Sequence, residues 1–425
     1  MMDPAPRAPG GVHDPGRLVR TGGAETAGTL TFVGELQAVW GFLVAALVAL
    51  AGTPLAARVA LRLGAVDRPR DRGLSDRPTP RLGGLAILAG TLVAGLAFLP
   101  LEGQTRGIFI GAGLITLVGA VDDVMDLPPL VKLSGQALAA LAPVLSGVNV
   151  VNITLPFLGA LYFGPLLGGL LTVVGMVAVM NVVNFTDGVD GLAAGVCTIA
   201  AVTFALIALS LDRSGAGVLA AITAGAAVGF LYHNFHPASV FMGDSGANLL
   251  GLLLACVAVQ GVLKTAAVVA LLFPLVILAV PILDTGFVVA KRIKYRRPVY
   301  GADRWHFHHR FANIGFSQRR TVLYLYGWTV ALAALALALR FVPYSDDHGT
   351  FHAGWTMVMV GFGLLALAAS VYLVFVLEIL KFRRFRERQL RRAGTIAGQP
   401  APSNASIEAE IAREVETGEF ESVGR

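Results

Sequence analysis

The sequence predicts an all-α, polytopic integral membrane protein of about eleven transmembrane helices, with its N-terminus outside and its C-terminus in the cytosol. Three observations carry this reading. Of 425 residues, 55% are hydrophobic and only 14% charged, and the mean hydropathy is +0.70; an ordinary soluble domain carries about 25% charged residues. The apolar residues are gathered into runs long enough to cross a bilayer as helices. Lys and Arg concentrate in residues 58–81, 291–320 and 381–392, and are isolated elsewhere, as at Arg106 and Arg213. By the positive-inside rule, the basic segments are cytosolic.

Residues 1–33 are rich in Gly, Pro, Ala and Thr without apolar periodicity, and no short apolar core follows a basic start. They are expected to form a disordered tail, not a signal peptide. The membrane domain is expected over 34–380. Its first span covers 36–57 and is followed by the basic loop holding Arg58, Arg62, Arg68, Arg70, Arg72, Arg77 and Arg81. Further spans follow at 82–101, 107–121 and 130–146. Residues 147–164, with Asn, Pro and Gly among alternating apolar residues, read as an external loop or short hairpin. The remaining spans are expected at 165–183, 193–211, 216–233, 246–263, 266–289, 321–341 and 353–380. Residues 381–425 read as a basic juxtamembrane helix against anionic headgroups, then a flexible cytosolic tail. Cys197 and Cys256 lie inside apolar runs without partner spacing, which supports neither a disulfide nor a thiolate metal site.

Polar residues interrupt this apolar pattern at particular places. From Asn181 to Gly191 they recur at Asn181, Asn184, Asp187 and Asp190, steps of three that keep neighbours on roughly one helix face. Asp122 and Asp123 end the third span, with Asp126 and Lys132 beyond. Asp244, between Gly243 and Gly246, opens the span after Phe241. Such residues at a membrane helix mouth are costly and are functional by default. Two further clusters are cationic: Arg77, Thr79 and Arg81 before the second span, and His306, His308, His309 and Arg310 before the span at 321–341. Without Cys or further ligands at suitable spacing, the histidines point to phosphate rather than zinc. All clusters fall on the side of the basic loops. An acidic centre ringed by cations fits metal-assisted phosphoryl transfer, and no Walker-type loop points to an ATPase. An ion-coupled transporter is the rival from another class, but it would place its charges near mid-span and show repeated halves.

Four stretches then carry a resemblance: Asn181-Val-Val-Asn-Phe-Thr-Asp-Gly-Val-Asp-Gly-Leu192, Val121-Asp-Asp-Val-Met-Asp-Leu-Pro-Pro, Phe241-Met-Gly-Asp-Ser-Gly and His306-Phe-His-His-Arg310. In order and spacing, over roughly residues 60 to 320, they resemble the polyprenyl-phosphate N-acetylhexosamine-1-phosphate transferase family. The histidine loop is similar to that of the bacterial undecaprenyl- and decaprenyl-phosphate GlcNAc-1-phosphate transferases. It is less similar to the peptidoglycan translocase branch, which uses UDP-MurNAc-pentapeptide.

The resemblance implies transfer of N-acetylglucosamine-1-phosphate from UDP-GlcNAc to undecaprenyl or decaprenyl phosphate at the cytosolic face of a bacterial plasma membrane, with another UDP-N-acetylhexosamine or UDP-MurNAc-pentapeptide as the alternative donor. UMP is released, and the product starts a lipid-linked cell-envelope glycan. The cofactor implied is Mg²⁺, with Mn²⁺ as substitute. The partners are the two substrates, the bilayer and a second copy of the chain as a homodimer, with no nucleic acid. By motif, Asn184 and Asp244 would bind the metal. Asp122 and Asp123 would sit at the lipid-phosphate side as catalytic residues, with Asp187 in the acidic centre. Lys132 would contact phosphate. Asp190 would face the uracil, with Phe241 stacking on it beside Gly188. Arg77 and Thr79 would contact substrate, and His306, His308, His309 and Arg310 would close over pyrophosphate and sugar. Arg77 stands at a place where relatives can carry Lys, and the two cations do not contact phosphate in the same way.

Overall fold

The computed structural model describes residues 22–67, 78–155, 159–262, 317–343 and 352–375, with isolated positions among 278–292 and 403–413. Among them the helices are α1 (Gly22–Leu63), α2 (Gly84–Phe98), α3 (Gly103–Met125), α4 (Pro129–Leu145), α5 (Pro165–Thr186), α6 (Leu192–Ser210), α7 (Ser214–Asn234), α8 (Gly243–Val257, continued by one π turn to Val262), α9 (Gln318–Phe341) and α10 (Ala353–Phe375). Two small antiparallel ladders complete the elements: β1 (Val66–Asp67) with β2 (Thr79–Pro80), and β3 (Asn152–Leu155) with β4 (Gly159–Tyr162). The second ladder is the hairpin expected in 147–164. α1 begins inside the stretch assigned to the tail. No proline lies between Pro15 and Pro54 to stop the helix extending back from its apolar part.

Seven of the described stretches are long and apolar enough to cross a bilayer, and α2, α4 and part of α10 are shorter apolar helices. The chain is therefore a multi-pass membrane protein. Its outward faces carry large apolar side chains such as Leu166, 88% exposed, which lipid would solvate. The innermost helix is α8, where every residue from Ser245 to Val259 is buried.

Small residues let its neighbours close. α7 lies on α1 with Gly225 against the Phe42 carbonyl and Gly229 against that of Ala46, where a Cβ would collide with backbone. This is close small-residue packing of the kind lipid-embedded helices use. α1 also contains Pro54, which has no N–H to give the Leu50 carbonyl one turn earlier. His233 Nε2, on α7, supplies that bond instead, at 3.1 Å.

At the far end of the bundle, Gln260 donates to Gln104 Oε1 (2.8 Å), and Gln104 donates to the Gly147 carbonyl (2.6 Å). The end of α8, the start of α3 and the end of α4 thus share one face. α9 runs parallel to α6 and is pinned at both ends. Tyr326 OH donates to the Gly191 carbonyl (2.5 Å), and Arg340 bonds Ser210 Oγ (2.9 Å) and its carbonyl (2.6 Å). The expected span at 266–289 and the tail at 381–425 lie largely outside the described residues.

Candidate active site

The acidic side chains converge around the N-terminus of α8. The chain enters α8 through Gly243 at φ +70°, a conformation that glycine adopts without penalty, and a Cβ there would strike the Asp123 carboxylate. Gly84 of α2 and Gly119 of α3 lie against the Asp244–Gly246 backbone, again with no room for a side chain. Three helices thereby meet at one point, opposite the far face just described.

Asp123 is tied to that point by its backbone. Its Oδ1 accepts the Asp244 N–H at 2.9 Å and its Oδ2 the Ser245 N–H at 3.2 Å, so it caps α8 from a different helix. A carboxylate there satisfies orphan donors and complements the helix dipole. Asp122, its neighbour, is 5% exposed. Asp122 Oδ1 accepts the Leu127 N–H at 2.7 Å, and Oδ2 lies 2.5 Å from Lys132 Nζ. The same ammonium is 3.0 Å from Asp244 Oδ2. Lys132 therefore joins Asp122 to Asp244, whose carboxylates are also in hydrogen-bonding reach of each other. The Asn184 side chain bonds Asp244 as well. Asp187, just past the end of α5, is half-buried. Burial, then the carboxylates of Asp244 and Asp123, hold its own carboxyl well above the usual range, with Arg81 opposing.

Beneath these acids an amide chain links three helices. Asn181 donates to Gln136 Oε1 (2.8 Å), Gln136 to Asn248 Oδ1 (2.8 Å), and Asn248 to the Asp244 carbonyl (2.8 Å). Asn181 thus faces the interior, one turn below Asn184. Gln136 and Asn248 have no role in the sequence reading. Their signal was a lone amide inside an apolar helix, which is costly in lipid unless paired.

To one side lie Asp190, Gly188 and Phe241. Gly188 is exposed in the turn. Asp190 Oδ2 contacts His236 Nδ1 (2.8 Å) and accepts the Ala238 N–H (3.0 Å). Phe241 is half-buried, its N–H bonded to the Pro80 carbonyl (2.7 Å) and its carbonyl to the Gly83 N–H (3.0 Å). Thr79 is 3% exposed within β2. Arg81 is committed to Asp67 at 2.8 Å. Arg77, His306, His308, His309 and Arg310 lie outside the described residues.

Among the described residues, no three His, Cys, Asp or Glu side chains are arranged to hold an ion by themselves. What converges is a set of hard oxygens: Asp244, with the Asn184 amide and Asp122 beside it. This fits Mg²⁺, which uses one or two carboxylates and completes its shell with water and substrate phosphate.

One family model matches this chain, and its relatives include the three described next. The model described as glycosyl transferase family 4 matches residues 105–262. A Bacillus subtilis (strain 168) protein named "Probable undecaprenyl-phosphate N-acetylglucosaminyl 1-phosphate transferase" is 36% identical over 306 residues, 71% of this chain and 85% of that protein. A Mycobacterium leprae (strain TN) decaprenyl-phosphate N-acetylglucosaminephosphotransferase is 37% identical over 70% of this chain and 83% of its own length. A phospho-N-acetylmuramoyl-pentapeptide-transferase of Desulforudis audaxviator (strain MP104C) is 36% identical over 63% of this chain and 86% of its own.

Proposed function

Because the chain belongs to glycosyl transferase family 4, with the polyprenyl-phosphate N-acetylglucosamine-1-phosphate transferases among its relatives, we propose that it makes the first lipid-linked sugar of a cell-envelope glycan. It transfers N-acetylglucosamine-1-phosphate from UDP-GlcNAc to undecaprenyl or decaprenyl phosphate at the cytosolic face of a bacterial plasma membrane. UMP leaves. The observation that carries this reading is the acidic centre itself: Asp122 and Asp244, from different helices, share the Lys132 ammonium at a helix mouth beside an exposed turn.

In this reading a lipid phosphate oxygen attacks the β-phosphorus of UDP-GlcNAc in line. A new P–O bond forms as the bond to the UMP oxygen breaks. A phosphate monoester has its second pKa at about 6, so the lipid phosphate is largely dianionic at neutral pH and needs no general base. Asp122, engaged at both oxygens, orients Lys132, and Lys132 neutralises phosphate oxygens. Asp123 fixes the N-terminus of α8 and with it Asp244. Asp244 and Asn184 would hold Mg²⁺, which would supply charge stabilisation for the pyrophosphate and the leaving UMP. Asp190 accepts a hydrogen bond from the uracil N–H, and Phe241 covers the base. Asp122 and Asp123 are poor nucleophiles for a covalent carboxylate intermediate, because both oxygens of each are already bonded.

The relative named for pentapeptide transfer supports a second reading, the same reaction with UDP-MurNAc-pentapeptide. Purified full-length protein in detergent, given undecaprenyl phosphate, Mg²⁺ and a panel of UDP-sugars, is expected to release UMP and form lipid-linked GlcNAc, read by mass spectrometry. Asp244→Asn is expected to abolish that product. Product only from UDP-MurNAc-pentapeptide would favour the second reading, and UMP-independent uptake into proteoliposomes would replace both.

A further inference from the structure

The two segments proposed to grip the base are far apart in the chain, and one side chain joins them. Asn234, the last residue of α7, is 2% exposed. Its Oδ1 accepts the Gly191 N–H at 3.0 Å, and its Nδ2 donates to the Val240 carbonyl at 3.0 Å. Gly191 directly follows Asp190, and Val240 directly precedes Phe241. A single buried amide therefore sets the spacing between the residue proposed to read the uracil edge and the ring proposed to cover its face.

The surroundings favour a positioning part over mere satisfaction of a buried polar group. Phe241 is already anchored on its other side, through Pro80 and Gly83, so Asn234 ties the Asp190 turn to a fixed reference. Gly191 sits at φ +79° as the first residue before α6, where its N–H has no helical partner. Its carbonyl is held from α9 by Tyr326. Two residues after Asn234, His236 meets the same turn again, through Nδ1 on Asp190 Oδ2. A carboxylate only accepts, so that nitrogen carries the proton in this contact.

We propose, resting on the reaction just assigned, that Asn234 is a positioning residue for the nucleotide. Through the Gly191 and Val240 backbones it holds Asp190 and Phe241 at the separation a uracil ring requires, and His236 supports it by orienting the Asp190 carboxylate.

The test measures UMP binding by isothermal titration calorimetry, and KM for each substrate, on full-length protein in detergent. Asn234→Ala removes both bonds and is expected to weaken UMP binding about tenfold. KM for UDP-GlcNAc should rise in parallel and KM for undecaprenyl phosphate should stay put. In an Asp190→Asn, Phe241→Ala background, Asn234→Ala should cost UMP binding nothing further, since the groups it positions are gone. A merely structural asparagine would lower affinity again in that background, or move both KM values together, and either result overturns the proposal. Should Asn234→Ala fail to fold, His236→Ala, on a one-third exposed side chain, carries the test. It is expected to show the same selective loss at smaller amplitude, and unchanged UMP affinity overturns the proposal. Wild-type protein that binds UMP but uses another UDP-sugar corrects the donor and leaves this inference standing. Wild-type protein that binds no UMP removes both.

Discussion

At the residue scale, Asp123 and Asp244 separate chemistry from architecture. Both are carboxylates at one helix mouth, but Asp123 spends its two oxygens on the Asp244 and Ser245 N–H groups, while Asp244 faces Lys132 and Asn184. Asn at 123 would turn an NH₂ towards one of those N–H donors. Asp123→Asn should therefore lower the thermal midpoint in detergent, costing about 1–2 kcal/mol as lost caps do, as well as activity. Asp244→Asn should leave the midpoint near wild type and remove activity alone. Equal midpoints for the two variants would take Asp123 out of its capping place. The acidic positions are legible in sequence because carboxylates at bilayer depth are expensive. Their division of labour is not, since it depends on which helix arrives from elsewhere. Nothing near Asp123 announces the start of α8, and nothing in the three-residue spacing says that Asn181 turns inward to Gln136 while Asn184 turns to Asp244.

At the element scale, the helices follow from apolar runs of bilayer length, and the runs are legible. How the helices are held is less so, because the bonds replace each other across elements. Pro54 deprives the Leu50 carbonyl of its partner, and His233 on α7 fills the gap. This compensation can be measured. His233→Phe should cost about 1 kcal/mol in the wild-type chain, the net worth of a typical hydrogen bond. In a Pro54→Ala background the new N–H reaches Leu50 itself, so the same change should cost clearly less. Denaturant unfolding of the four proteins gives the coupling as a double-mutant cycle. Additive losses would mean that His233 stabilises α7 by some other contact. A sequence shows the proline and the histidine separately, but not that they answer one another across two helices.

At the scale of the whole molecule, orientation rests on where helices begin and end. α8 leaves its N-terminus beside the acids and finishes at the far face, where Gln260 meets Gln104. α9 starts back at the acidic face, where Arg319 donates to the His236 carbonyl at 3.1 Å, and runs parallel to α6. The span expected at 266–289 falls between them, largely outside the described residues. The cations agree: Arg58, Arg62, Arg81, Lys132, Arg319 and Arg320 mark the acidic face, against Arg106, Arg213 and Arg340 on the other. By the positive-inside rule, that asymmetry supports the proposed placing of the acidic face in the cytosol. Cys197 and Cys256 are buried, so an impermeant maleimide should report only introduced thiols. Gly215→Cys, at the start of α7, is expected to label in right-side-out vesicles. Ser317→Cys, at the start of α9, should label only in inside-out vesicles. The reverse pattern would put the acidic centre outside, and the proposed function would go with it. Labelling of both from one side would instead break the parallel pairing of α6 and α9, and with it the contact by which Tyr326 holds the turn at Gly191.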